Sequence, residues 1–266
     1  MMKKTLQIGN IIALILTIGV NYLSNTGVLN NTTIGEVSNT YRSLLTPAGY
    51  TFAIWGMIYL LLIGFAIYQG RSLFLKVHND AVVKRTGWWF IVSCICNSLW
   101  VFAWIYEHTL VSCVFIFLLL FSLLKIVLNN RMELDDESLP IITFVWWPFV
   151  IYSGWVTVAS IANVATYLVK IGWDGFGISA TIWTILLILI AVVINVIVTW
   201  KRNMREFALV GAWALIGIGN ANRLSNELLM HIAFCSAALL IISSSIHGFK
   251  NRDTNPLIKF QEWKKS

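Results

Sequence analysis

The sequence predicts an all-α integral membrane protein, a bundle of transmembrane helices, and composition and hydropathy are the two observations that predict it. Of the 266 residues, 58% are hydrophobic and only 12% are charged, and the mean hydropathy is +0.76. A soluble chain has roughly 45–50% apolar and about 25% charged residues. The composition therefore excludes a soluble enzyme, a nucleic-acid-binding domain and a disordered chain, and no nucleic acid is expected as a partner.

Eight apolar segments are long enough to cross a bilayer, since a helical span needs about 20 residues. Backbone groups cannot stay unpaired in lipid, so each segment is expected to be helical. The seventh segment is short, whereas the fifth is long and contains Pro148, which predicts a kink. The segments are 6–24, 49–69, 88–106, 109–128, 141–168, 178–200, 207–222 and 226–246.

Basic residues predict the orientation of these spans, because Lys and Arg collect on the cytoplasmic side. With eight spans and the N-terminus inside, 16 of the 19 Lys and Arg residues are internal, and Arg42, Lys170 and Arg223 are external. Without the seventh span, the basic C-terminal tail would lie outside. We therefore expect a multi-pass protein of a bacterial-type cytoplasmic membrane, with both termini in the cytoplasm.

Residue patterns for conventional catalysis or metal binding are scarce. No predicted span has Asp or Glu near its centre, which disfavours a proton- or sodium-coupled transporter. The four cysteines fall inside spans and are interpreted as small buried residues. The acidic residues at 133–137 are interpreted as a solvated loop. No catalytic residue and no metal site are identified.

Tryptophan is abundant, with 13 residues. Some of these tryptophans lie, together with other aromatic and polar residues, in stripes along one face of each of three predicted helices. Residues three, four or seven positions apart share a helix face. An aromatic pocket with a few polar groups suits a flat, largely apolar ring. Alternatively, these side chains only pack the bundle and the asparagines pair across helices. The stripes are Phe52, Trp55 and Tyr59; Asn97, Trp100 and Trp104; and Tyr152, Trp155, Ala159 and Asn163.

The stripes resemble motifs of the tryptophan-rich sensory protein and translocator protein (peripheral benzodiazepine receptor) family. Residues 49–59 are similar to its second-helix pattern Pro-x-x-Val-Phe-x-x-x-Trp-x-x-Leu-Tyr. The third-helix stripe is similar to the family's Asn-x-x-Trp-x-x-x-Phe. In the fifth helix, the family's Pro-Tyr, Trp, small residue and Asn are matched by Pro148-Phe149, Trp155, Ala159 and Asn163.

This resemblance covers about residues 6–170, so we divide the chain into a five-helix unit, 1–170, and a segment of three further helices with a basic cytoplasmic tail, 171–266. It implies a cavity among the first five helices that binds porphyrins or other flat hydrophobic ligands. Carried over by position, the aromatic rings would stack on the ligand, Ala159 would leave room and the amides would orient it. The residues so implied are Trp55, Tyr59, Asn97, Trp100, Trp155, Ala159 and Asn163.

We therefore expect a membrane protein that binds, and transports or senses, a tetrapyrrole-like ligand. No cofactor is required beyond this porphyrin- or haem-like ligand. The expected partners are that hydrophobic small molecule, membrane lipid and a second copy in a homodimer. One alternative is a porphyrin-degrading membrane enzyme, although the sequence offers no acid/base pair for it. Another is an assembly protein whose seventh helix approaches a neighbour through Gly217 and Ala221.

Overall fold

The computed structural model describes residues 2–76 and 81–251, and within these ranges the regular elements are helices. Eight long helices occupy the eight predicted segments, which confirms the all-α bundle. The basic tail predicted for residues 252–266 lies outside the described residues. The long helices are α1 (Met2–Leu23), α2 (Ile54–Gly70), α3 (Trp89–Ile105), α4 (Thr109–Asn129), α5 (Trp147–Lys170), α6 (Ala180–Arg202), α7 (Arg205–Ala221) and α8 (Glu227–Lys250).

Short helical turns extend or connect the long helices. The 3-10 turn Gly49–Ala53 leads into α2, and the π-helical turn Ile142–Trp146 leads into α5. The segment before α2 also contains a separate short helix, which becomes important at the functional site. The remaining short helices are Ile34–Thr40, Arg71–Leu73, Ala81–Thr86, Leu139–Ile141 and Gly175–Gly177.

Six helical segments of the described ranges are long and apolar enough to cross a membrane, and they include all the long helices except α3 and α7. Helices α3 and α7 have 17 residues each, which is near the lower limit of about 17 for a span. The chain is therefore a multi-pass membrane protein. That all eight helices cross completely stays a prediction.

The two ends of the bundle differ, and each receives a name here. The covered end carries the long segment 24–48 and the turns 106–108, 171–179 and 222–226. The basic end carries the start of α1, the loop 130–138, the turn 203–204 and the end of α8. Which end faces the cytoplasm stays a prediction from the positive-inside rule.

Helix α1 has the burial pattern of a membrane helix, with apolar side chains outside and polar ones inside. Ile8 and Ile12 are exposed, whereas Gln7 and Asn10 are buried. Lipid accepts apolar side chains but leaves amides without partners, so the polar face turns inward. There, Gln7 Nε2 donates to the Gln69 carbonyl oxygen at 2.5 Å, and Asn10 Nδ2 donates to Gln69 Oε1 at 3.1 Å.

A π-helical turn precedes the start of the fifth long helix, whereas the predicted kink at Pro148 stays a prediction. Pro148 is the second residue of α5, two residues after the last residue of that turn, Trp146. Proline has no N–H and its ring displaces the carbonyl group four residues earlier, so an α-helix cannot continue unchanged through it. A wider turn is one way in which a helix accommodates such an interruption.

Helix α7 packs closely against α5 and α6, and small residues make this possible. A methyl group at Gly154 would lie 3.1 Å from the Phe207 carbonyl oxygen, and one at Gly211 would lie 2.6 Å from Asn195 Oδ1. Side chains of α7 belong to both apolar clusters of the described core. The division of the chain at residue 170 nevertheless stays a prediction.

Two burial predictions need correction. Cys94, Cys96 and Cys113 are buried as expected, but Cys235 is exposed on α8, where a thiol is compatible with an apolar surface. The loop 133–137 is not uniformly solvated, because Glu133 is only 7% exposed. Its backbone carbonyl accepts a hydrogen bond from Asn203 Nδ2 at 3.2 Å, which ties this loop to the turn between α6 and α7.

Candidate ligand-binding site

The aromatic stripes of α2, α3 and α5 meet around the indole ring of Trp55. This ring stacks on Tyr59 and Trp100, with ring centroids 5.7 and 6.0 Å apart. It meets Tyr152 and Trp155 edge-on, at 5.8 and 6.2 Å. Contacts of this kind contribute about 0.5–1.5 kcal/mol each beyond burial. The helical spacing thus brings together rings from three helices in one aromatic cluster.

The same cluster continues towards the covered end. Phe52 contacts Trp155 edge-on at 6.1 Å, and Trp104 stacks on Trp100 at 5.9 Å. The α2 rings are half-buried, whereas the α3 and α5 rings are buried. The α2 stripe is therefore the accessible wall of the cluster.

A cavity of about 50 Å³ lies beside these rings, between the aromatic cluster and α5. Seven of the ten residues predicted from the sequence line it, whereas Tyr59, Asn97 and Tyr152 belong to the adjoining layer. The seven predicted residues are Phe52, Trp55, Trp100, Trp104, Trp155, Ala159 and Asn163. The wall is completed by residues that the sequence did not indicate, namely Ile34, Ser38, Thr46, Pro47, Val158, Ala162 and Thr166.

The two predicted asparagines form hydrogen bonds between helices. Asn97 accepts from Asn21 Nδ2 at 2.7 Å and donates to Tyr152 Oη at 2.8 Å. Asn163 Oδ1 accepts from Trp100 Nε1 at 2.7 Å, and its amide nitrogen donates to Ser112 Oγ at 2.8 Å. In this conformation, both asparagines therefore pair with side chains of other helices, as expected if they only pack the bundle. Their amides fix the rings of Tyr152 and Trp100.

Two polar atoms of the aromatic cluster are buried and form no hydrogen bond with the described residues. They are Trp155 Nε1 and Tyr59 Oη. A buried N–H or O–H group without a partner costs about 1–3 kcal/mol, and natural structures contain few of them. The cluster thus offers a hydrogen-bond donor on each of two helices, and an acceptor on a bound molecule would satisfy either one.

The segment before α2 covers the cavity, and the short helix Ile34–Thr40 forms its centre. Thr33 caps this helix, since its side chain accepts from Glu36 N while the Glu36 carboxylate accepts from Thr33 N. Trp104 Nε1 donates to the Ile34 carbonyl oxygen at 3.1 Å, which joins this cover to the aromatic cluster. We use the name cover for residues 33–48.

A charged contact just after the short helix Ile34–Thr40 forms a second attachment of the cover to the bundle. Tyr41 Oη donates to Glu107 Oε2 at 2.5 Å, and Lys170 Nζ lies 3.3 Å from the same carboxylate oxygen. The hydrogen bond from Tyr41, aided by Lys170, lowers the pKa of Glu107 against the opposing effect of burial. The same hydrogen bond raises the pKa of Tyr41. Three chain segments therefore meet at one carboxylate.

Helix α7 holds the rest of the cover. Ala48 N donates to the Gly217 carbonyl oxygen at 3.0 Å, and Arg42 Nη2 donates to the Ala221 carbonyl oxygen at 2.7 Å. Trp213 Nε1 donates to the carbonyl oxygen of Thr51, at the entry to α2. A methyl group at Gly217 would overlap the Thr51 side chain. Helix α7 thus supports the aromatic site without lining its cavity.

Comparison with known families agrees with the fold and with the aromatic motifs. The family model described as TSPO-like protein matches residues 7–246. The chain belongs to the TSPO-like protein family. The match includes α6, α7 and most of α8, so it extends well beyond the residues that carried the resemblance in the sequence. Comparison with curated proteins and with solved structures gave no match.

This TSPO-like protein has two site features that sequence reasoning missed. The buried polar face of α1 had a readable signal, because Gln7, Asn10, Thr17 and Asn21 recur at near-helical spacing in an apolar segment. Residue spacing gave no signal for the cover, since its side-chain contacts with the bundle join residues 66 to 179 positions apart, such as Tyr41 with Glu107 and Arg42 with Ala221. Hydrophobic periodicity identifies a helix face but not the loop that lies over it.

Proposed function

We propose that this TSPO-like protein binds a flat, largely apolar ligand of the tetrapyrrole class in its aromatic cluster. One observation carries the proposal. The half-buried Trp55 ring lies stacked between Tyr59 and Trp100 and edge-on to two further rings, beside a cavity. A planar ring would make the same face-to-face contacts that Trp55 now makes.

The cavity is smaller than a usual ligand site, so a ligand can bind only after the cavity widens. Ligand sites usually measure about 300–1,000 Å³, whereas this cavity measures about 50 Å³. The structure therefore corresponds to a closed site, in which the aromatic rings fill the space themselves. Because Trp55 is only half-buried, an outward movement of its ring would join that ring's volume to the cavity. The ligand would then stack on Trp100 in its place.

Binding of this kind would also act on the cover. Trp104 stacks on Trp100 and donates a hydrogen bond to Ile34 in the cover. A ligand that stacks on Trp100 and shifts its ring would therefore shift Trp104 and the cover as well. This relay suits a sensor, whose signal is the altered covered end, and a carrier, whose ligand leaves there. The proposal includes both uses of the same site.

Titration with protoporphyrin IX in detergent tests the proposal, with tryptophan quenching and the Soret band as readouts. We expect saturable micromolar binding to the unmodified protein and at least tenfold weaker binding to Trp100→Ala, which loses the ring on which the ligand would stack, a loss of about 1.4 kcal/mol. Trp88→Ala is the matched control, because Trp88 is 54% exposed at the basic end and should leave the affinity unchanged. Equal affinities in all three proteins would refute the proposal.

A further inference from the structure

A group of buried polar atoms without partners lies at the basic end, far along the bundle from the aromatic cluster. Within the described residues, eight of the 15 such atoms belong to this group. They come from the loop after α4, from the junction of α6 and α7, and from the end of α8. The atoms are Glu133 Oε1, Arg202 Nη2, Asn203 Oδ1, Arg205 Nε and Nη2, Glu206 Oε2, Ser244 Oγ and His247 Nδ1.

Arg205 is the centre of this basic-end cluster. The residue is only 7% exposed, and its Nε and Nη2 donate no hydrogen bond to any described residue. Its guanidinium group packs against α8, since a methyl group at Gly248 would lie 3.5 Å from Arg205 Nη1. Leaving a buried charge unpaired is expensive. The arrangement therefore indicates an acceptor that comes from outside the chain.

The charges of the cluster favour an anion. Burial, together with the nearby carboxylate of Glu206, raises the pKa of Glu133 to about 8 against the opposing effect of Arg205. The raised pKa favours the uncharged form of Glu133 at neutral pH, so this carboxyl group does not neutralise the guanidinium groups of Arg202 and Arg205. A positive charge is left over. Free guanidinium N–H groups match the oxygen atoms of a phosphate group.

An open apolar groove between α6 and α8 runs up to this cluster. Its wall includes Trp200, Ala238, Leu239, Ile242 and Ile246, and most of these side chains are exposed on the surface of the bundle. The groove has a volume of about 530 Å³ and a mostly apolar lining, which suits a hydrocarbon chain.

Trp200 lines the groove and contacts His247 of the cluster, so it joins the two. Its ring packs edge-on against His247 with centroids 5.1 Å apart, and Lys250 Nζ lies 5.4 Å from the centroid of the same ring. Tryptophan and lysine side chains of this kind mark the level of the lipid headgroups. The hydrocarbon groove therefore ends at the headgroup level, beside the unpaired guanidinium groups.

We propose that α6, α7 and α8 bind one anionic phospholipid at the basic end. The phosphate group occupies the basic-end cluster, where Arg205 and Arg202 donate to its oxygen atoms and Lys250 lies at the rim. One acyl chain occupies the groove along α8. Basic pockets between membrane helices bind anionic headgroups in this way. This site is separate from the aromatic cluster and does not depend on the ligand proposed for it.

Native mass spectrometry of the full chain in detergent tests the site, by titration with phosphatidylglycerol and with phosphatidylcholine. We expect one phosphatidylglycerol to be retained with at least tenfold preference over phosphatidylcholine. Arg205→Gln should abolish this preference. Arg131→Gln is the matched control, because it removes one positive charge from an exposed position at the same end, and it should retain the preference.

Three results would overturn the proposal. The first is equal retention of the two lipids by the unmodified protein. The second is an equal loss of the preference for phosphatidylglycerol in Arg205→Gln and Arg131→Gln, which would indicate a general attraction between the basic end and anionic lipid. The third is displacement of phosphatidylglycerol by glycerol phosphate at the same concentration, because the acyl chain would then contribute nothing.

A groove variant tests the same site without altering the buried cluster. Ala238→Phe fills the groove at an exposed position, and we expect retention of phosphatidylglycerol to fall at least fivefold. Ile241→Phe is the control, since Ile241 is 41% exposed on the same helix and does not line the groove. Equal retention by the two variants would contradict the assignment of the groove.

Discussion

Single side chains decide how much room the aromatic cluster has. Ala159 lines the cavity from α5, opposite the tryptophan rings. Its methyl group leaves open a space that any larger side chain would occupy. Among the residues that the resemblance implied for the pocket, it is the one whose proposed role is purely steric.

Ala159→Leu should therefore block ligand binding while the bundle stays folded. The cavity of about 50 Å³ can take part of the added volume, and overpacking of the rest costs about 1–3 kcal/mol. We expect at least tenfold weaker binding of protoporphyrin IX, measured by tryptophan quenching. Ala180→Leu, at the exposed start of α6, should bind normally. Normal binding by both variants would place the ligand elsewhere.

Glu133 provides a prediction about pH and stability. Its folded-state pKa is about 8, above its ordinary value of 4.5. The folded state therefore holds the proton more tightly than the unfolded state, and the stability contributed by the protonated side chain is lost as the pH rises from 4.5 to 8. The charged groups that act on it are Glu206, which also raises its pKa, and Arg205, which lowers it.

Glu133→Gln should raise Tm at pH 9 and leave it nearly unchanged at pH 4.5. The gain should amount to several degrees, because about 1 kcal/mol shifts Tm by roughly 2–4 °C in a chain of this size. Thermal melts across this pH range measure the difference. Glu137→Gln, on the partly exposed remainder of the same loop, should show no such trend. A constant difference at all pH values would contradict the role of burial.

Individual helices and loops show which parts of the structure a sequence can predict. Hydrophobic length identified all eight long helices, and spacing brought Trp55, Trp100 and Trp155 together correctly, because both properties are local to one helix. The contacts of the cover did not follow from residue spacing. Its position depends on contacts with the turn after α3 and with α7, such as those of Tyr41 and Arg42.

The amides show a second limit of sequence reasoning. Asn97 and Asn163 lie on the predicted faces, but spacing alone cannot tell whether an amide points to a ligand or to another helix. In the structure, both bond to neighbouring helices. Buried amides in lipid need partners, so the identity of Asn21 and Ser112 as those partners depends on how α1 and α4 pack.

Gly217 tests how the cover is supported by α7. Gly217→Ala places a methyl group into Thr51, and overpacking of this kind costs about 1–3 kcal/mol. We expect a lower Tm and altered binding kinetics of protoporphyrin IX, because the added methyl group disturbs the packing between α7 and the segment that contains the cover. Gly56→Ala is the matched control, since no atom lies within 4 Å of the added carbon. Equal behaviour of the two variants would show that this contact does not position the cover.

Within the described residues, most Lys and Arg residues lie at the basic end and the cover lies at the opposite end, which predicts an orientation. The positive-inside rule places the basic end in the cytoplasm and the cover outside. In cells, a single cysteine at Asn31 should react with a membrane-impermeant maleimide without permeabilisation, in a background lacking the four native cysteines. A cysteine at Glu137 should react only after permeabilisation. The reverse pattern would invert the topology.

At the scale of the whole molecule, two separate regions contain buried polar groups for which no described residue supplies a hydrogen-bond partner. The aromatic cluster near the cover is closed around a small cavity and has unpaired donors at Trp155 and Tyr59. The basic-end cluster has unpaired guanidinium groups beside an apolar groove. We infer that the first five helices supply the site for a flat ligand, that α7 holds its cover, and that α6–α8 anchor the bundle to anionic lipid.

The most direct test of the central claim is the dissociation constant of protoporphyrin IX for the unmodified protein and for Trp155→Ala, measured side by side. Trp155 combines two ring contacts in the cluster with an unpaired N–H group, so its loss removes both stacking and a donor. We predict saturable micromolar binding that weakens at least tenfold in Trp155→Ala, in protein shown by thermal melting to be folded. Unchanged binding in the folded variant would contradict the assignment of the ligand to the aromatic cluster.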